Sequence, residues 1–74
     1  MRIMWTRAAK DQVEEADPVL RGRIESELPV MFGDSIPAAA VTMAVGVLMV
    51  ELPCGVEIDF ERTGDGVRIL YVEV

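Results

Sequence analysis

The chain has 74 residues and a mass of 8.2 kDa, with 51% apolar and 27% charged residues and a mean hydropathy of +0.31. Its length holds one small domain, because a chain of this size buries only about 60% of its unfolded surface, and its composition is too apolar for intrinsic disorder. Seven basic against 13 acidic residues give a net charge of -6, and there is no histidine and one cysteine, which disfavours phosphate-driven nucleic-acid binding and excludes an imidazole base, a Cys/His zinc site and an internal disulfide.

Arg2–Trp5 is rich in large apolar residues and is expected to form a short first strand. Thr6 can cap the helix that follows, in which Arg7–Ala16 consists of good helix formers with Arg7/Asp11 and Lys10/Glu14 spaced for pairing one turn apart. Asp17-Pro18 marks a second helix start: Asp offers a capping acceptor, and Pro in the first turn loses no hydrogen bond. Leu20, Ile24 and Leu28 form one narrow apolar stripe, opposite Arg21/Glu25 and Arg23/Glu27. Pro29 biases Leu28 away from helical geometry and Gly33-Asp34 completes the exit, with a distorted last turn through Met31 and Phe32 as the alternative. Between Ser35 and Met43 the pattern allows a short helical turn or an extended lead-in.

Ala44–Leu52 is mainly Val, Leu and Met without alternation, which fits a central strand covered on both faces better than a buried helix. Pro53-Cys54-Gly55 is a turn. In the next strand Val56, Ile58 and Phe60 line one face and Glu57, Asp59 and Glu61 the other. Thr63-Gly64-Asp65-Gly66 signals a hairpin, and with Gly64-Asp65 as its loop Glu61 lies opposite Arg68 and Phe60 opposite Ile69. Strict alternation then places Val67, Ile69 and Tyr71 inside, and Leu70, Val72 and Val74 on the acidic face.

The longest apolar stretch, Ile36–Val50, falls short of the roughly 20 residues of a membrane-spanning helix. The opening residues lack the apolar core and cleavage site of a signal peptide. A cytoplasmic protein without membrane association is the expectation.

Arg2-Ile3-Met4-Trp5-Thr6 with Ala9, the segment Pro18–Leu28, and the pair of closing hairpins from Val50 to Val72 together resemble the RelE/ParE toxin superfamily, which includes HigB-like proteins. The resemblance implies an α+β fold: an N-terminal strand, two helices and a three-stranded antiparallel meander, with the helices on one face of the sheet. It also implies an mRNA-cleaving site built on cations, and here the chain departs from the family. Glu57 stands where ribosome-dependent members carry a basic residue, Val56 replaces a Tyr, Leu48 and Val50 replace further basic residues, and the catalytic Arg and Tyr expected after the last strand have no counterpart before Val74. Cleavage of RNA needs cations around the scissile phosphate.

Three functions follow as expectations. The first is a non-catalytic protein-binding domain, a toxin-like module without its catalytic cations, whose partner is antitoxin-like or a second copy of the chain. The second is an acidic inhibitor or decoy that occupies the nucleic-acid-binding surface of another protein. The third is an active mRNA interferase. The partner-binding candidates are Glu57, Asp59, Glu61, Arg68, Leu70, Val72 and Val74; no catalytic residue, metal ligand or cofactor is assigned. The acidic row reads first as a solvated strand face partly neutralised by Arg68 and only second as a metal or cationic-partner site, Trp5 as core rather than anchor, and Cys54 as a turn residue with no sequence neighbour that would activate it. The surplus of apolar residues, with five Met, points to an oligomer or a bound partner.

Overall fold

In the computed structural model, which describes residues 1–74, strand β1 covers Arg2–Trp5 and passes through Thr6 into helix α1, Arg7–Glu15. Thr6 is an extended N-cap whose Oγ1 accepts from the Ala9 N–H at 3.1 Å and donates to the Leu70 carbonyl at 2.8 Å. One side chain therefore starts the helix and fastens it to the far end of the chain. Asp17 caps helix α2, Pro18–Phe32, by accepting from the Val19 and Leu20 N–H groups at 3.1 and 3.0 Å.

Helix α2 does not stop at Leu28. It runs through Pro29 to Phe32 and ends at Gly33, whose φ is +29°. An internal proline costs a helix about 3 kcal/mol, and the opposing gain is the complete burial of Phe32. Its ring meets Phe60 edge-on, with centroids 4.8 Å apart and planes at 89°. Burying such a side chain contributes about 1.5–3 kcal/mol, and an aromatic pair of this geometry about 0.5–1.5 kcal/mol more.

The remaining elements are strands: β2 (Val41–Ala44), β3 (Val47–Glu51), β4 (Glu57–Arg62) and β5 (Gly66–Glu73). The fold is α+β. Its sheet has five strands in the order β1-β5-β4-β3-β2 and is mixed, not antiparallel throughout, because β1 runs parallel to β5 with Ile3 opposite Val67 and Trp5 opposite Ile69. Gly66 makes that pairing close: a Cβ there would lie 1.8 Å from the Arg2 carbonyl oxygen.

The apolar run is also two strands and not one. Val45-Gly46 turns the chain, Gly46 taking the left-handed φ of +77° that glycine accepts without strain, so Ala44 faces Val47 and a bulge intervenes at Met43. Strand β2 is the sheet edge, exposed along its whole length, and takes the extended alternative for the residues up to Met43; the strand expected over Ala44–Leu52 is β3, which is interior to the sheet but starts at Val47 and is covered on one face only, with Val50 buried and Glu51 exposed.

The β4–β5 hairpin has the expected register at its tip, with Glu61 opposite Arg68 and Phe60 opposite Ile69. One residue further, strict alternation fails. Asp59 faces Tyr71 and not Leu70, which makes Leu70 a bulge and reverses the facing of everything after it. Val72 is fully buried opposite Ile58, whereas Tyr71 is half exposed on the other face. The placing of Val72 on the acidic face and Tyr71 in the core is thereby corrected.

The core lies between the helices and one face of the sheet. Ala9 and Val13 of α1, and Ile24, Leu28 and Phe32 of α2, pack with Val50, Ile58, Phe60, Val67, Ile69 and Val72. Ile3, Trp5 and Leu20 are half-buried against this cluster. Beyond Trp5 the strand β1 no longer covers β5, and α1 takes its place: Thr6 holds the Leu70 carbonyl and Gln12 Oε1 accepts the Val72 N–H at 2.6 Å. No helix is long and apolar enough to cross a membrane.

Candidate functional site

Both helices pack on one face of the sheet, and the residues of the other face stand in registered rows. Alternation along each strand sends Met49 and Glu51 of β3, Glu57, Asp59 and Glu61 of β4, and Arg68, Tyr71 and Glu73 of β5 to this second face. Pairing between strands aligns them laterally. Val41, Met49, Asp59 and Tyr71 form one row across four strands. Glu51, Glu57 and Glu73 form a second row across three. Glu61, Arg68 and Met4 form a third.

Neighbours within a row sit about 4.8 Å apart and rows on one face about 7 Å apart. Glu51, Glu57 and Glu73 thus hold three like charges on adjacent strands, an arrangement that destabilises a sheet. The Glu73 carboxyl is pushed above its ordinary value, first by a hydrogen bond with Glu57 and then by the negative charge of Asp59. Asp59, between Met49 and Tyr71, is raised by its partial burial and then by the charge of Glu57. Relief comes only at the third row, where the Arg68 guanidinium meets the Glu61 carboxylate at 2.7 Å.

Of the residues singled out in the sequence, Glu57, Asp59, Glu61 and Arg68 therefore do share one surface. Leu70 is half-buried in the bulge, Val74 is exposed beyond the end of β5, and Val72 offers nothing to a partner because it is wholly in the core. The face also holds residues not singled out in the sequence: Val41, Met49, Glu51, Tyr71 and Glu73. For Tyr71 and Glu73 the signal in the sequence is the unbroken apolar quartet Ile69-Leu70-Tyr71-Val72, where a period of two cannot continue and a bulge resolves the conflict.

A second polar cluster joins the helices to the β3–β4 turn. Glu27 accepts from the Arg23 Nε at 3.0 Å and from the Cys54 backbone N–H at 2.9 Å. Its partial burial pushes the carboxyl pKa up, but the hydrogen bonds from Cys54 and Arg23 outweigh this and hold it below its ordinary value. The cluster ties α2 to the turn, and Cys54 is half-buried within it.

The fully buried residues are all apolar. No group of three Asp, Glu or Cys side chains has metal-ligand geometry. No protein-family model, curated protein or solved structure matches the chain. The functional reading therefore rests on the bare face itself.

Proposed function

We propose that the chain is a non-catalytic protein-binding domain that engages its partner through the bare face of the sheet, and that it is a RelE/ParE-like toxin module without the cations of the ribonuclease site. The observation that carries this reading is the composition of the face. Val41, Met49 and Tyr71 supply apolar area at the surface while carboxylates surround them, the mixture of apolar and polar groups that protein interfaces use. Two of the departures from the toxin pattern acquire a physical sense. Val50 is fully buried and Leu48 packs against the core, so both belong to the packed face of β3 and present nothing to a substrate. Glu57 puts a negative charge beside Glu51 and Glu73 where an RNA phosphate would need a positive one.

A second reading, an acidic inhibitor that covers a nucleic-acid-binding surface of another protein, draws support from the row Glu51, Glu57 and Glu73. Ionic strength separates the two. A charge-driven decoy loses affinity steeply with salt, whereas an apolar interface does not.

The test is site-specific photo-cross-linking from Tyr71 on the bare face and, as control, from Val30, which is 82% exposed on α2. The expected result is a discrete protein adduct from Tyr71 that is absent from Val30. Equal or absent adducts at both positions would overturn the reading. A parallel assay of ribosome-dependent mRNA cleavage is expected to show none; cleavage that Arg68→Ala abolishes would establish the enzyme instead.

A further inference from the structure

We infer that the occupant of the bare face is a cationic, apolar-faced segment of another protein, with large apolar residues on the row Val41, Met49 and Tyr71 and Lys or Arg over the row Glu51, Glu57 and Glu73. The inference rests on the protein-binding reading and adds the chemistry of the partner.

Three alternatives fail on the geometry. A second copy docked face to face would set its own carboxylate row against this one, which like-charge repulsion opposes. A strand added to a sheet edge meets obstacles: both edge strands, β1 and β2, are four residues long, β2 is bulged at Met43, and the end of β5 that β1 leaves uncovered is already held by Thr6 and Gln12. Nucleic acid and anionic lipid share the sign of the face. What remains is a side-chain surface whose charge has one complement. Its carboxylates Glu51, Glu57, Asp59 and Glu73 have no cation paired to them, since Arg68 is taken by Glu61.

The dimensions set the size of the occupant. From Val41 to Tyr71 the row, interrupted by Asp59 on β4, crosses three inter-strand intervals, about 14 Å, which is the length of roughly ten helical residues. A helix lying across the strands would set apolar residues on Met49 and Tyr71, a basic residue over Asp59 between them, and further basic residues flanking the stripe over the glutamates, about 7 Å away along the strands.

The test uses an 18-residue peptide of Leu and Lys patterned as an amphipathic helix, beside a scrambled peptide of the same composition and a Leu–Glu version of the same pattern. Binding is followed by calorimetry and by amide chemical shifts of the labelled full chain. The expected result is that the patterned Leu–Lys peptide binds, shifts the amides of Met49, Glu57, Asp59 and Tyr71, and binds at least tenfold more tightly than either control. Glu51→Gln/Glu57→Gln/Glu73→Gln should weaken it about tenfold, the size of three exposed ion pairs. Glu14→Gln/Glu15→Gln/Glu25→Gln, which removes as much charge from the helices, should leave it unchanged, and Tyr71→Ala should weaken it at constant charge. Equal loss from both triple variants, shifts confined to other surfaces, or no preference over the scrambled peptide would overturn the inference. If the peptide fails while Tyr71 still cross-links a specific protein, the chemistry of the partner is wrong and the protein-binding reading stands.

Discussion

The two faces of the sheet are built from the same five strands and follow opposite rules. On the inner face Val50, Ile58, Phe60, Val67, Ile69 and Val72 are all nearly or fully buried, each one covered by α1 or α2 or by a neighbour. On the outer face apolar side chains stand beside carboxylates that repel one another, and no element of the chain covers them. The inner face is optimised for the isolated chain. The outer one, with like charges side by side, costs stability.

The largest expected effect lies on the inner face. Phe60→Ala should remove about 3–5 kcal/mol of stability in a denaturant titration, through the lost burial and the cavity left against Phe32. Tyr71→Ala on the outer face should cost under about 1 kcal/mol. Comparable losses at the two positions would abolish the distinction between a packed and an open face.

Next comes the seam between β1 and β5. Gly66→Ala forces a methyl group against the Arg2 backbone and should cost about 1–3 kcal/mol. An unchanged midpoint would show that β1 is not firmly paired there.

The outer face should then declare itself through pH. Because the folded pKa values of Asp59 and Glu73 lie above their unfolded ones, the folded state binds protons more readily, and stability falls as pH rises through the interval between the two. Lowering the pH from neutrality toward that interval should raise Tm. Glu27 acts in the opposite sense: its depressed pKa contributes stability above its unfolded value, lost as the pH falls through the folded one. Glu57→Gln should raise Tm at neutral pH and flatten the rise on acidification. If Tm only declines on acidification and Glu57→Gln does not shift it, the carboxylates of the outer face do not strain one another.

The smallest effect belongs to neither face. Gly22 is exposed in the interior of α2 with open space around it, and Gly22→Ala should stabilise the fold by about 0.4–1 kcal/mol. A loss of stability there would mean that α2 packs more closely than its exposed side indicates.

Local chemistry made much of this architecture readable in advance. Thr6, Asp17 and the Gly64-Asp65 loop each settle a boundary or a register through one or two hydrogen bonds or a turn preference. The helix beyond Pro29 was harder, because its continuation depends on Phe32 finding Phe60, which is distant in sequence. The hairpin at Val45-Gly46 was hidden because Ala44 and Val45 continue the apolar composition of the strand that follows, while residues 35–43 allowed a helical turn as well as an extended lead-in. The candidate surface was half legible: Glu57, Asp59, Glu61 and Arg68 share it, but the bulge at Leu70 exchanged Val72 for Tyr71 and brought Glu73 beside Glu57. A single displaced residue therefore turned a solvated acidic row into a mixed apolar and acidic platform.

The parallel pairing of β1 with β5 has a consequence for the order of events during folding. Thr6 and Leu70, joined by a hydrogen bond, are 64 residues apart, and Arg2–Trp5 has no other strand beside it. A chain emerging from the ribosome makes α1 and α2 first, and their apolar stripes wait for a sheet whose central strands, β4 and β5, arrive last. Closure of so long a loop slows the search for the native state. The rate of folding, more than its final stability, is then governed by the moment at which the last strand slides between the first and the fourth.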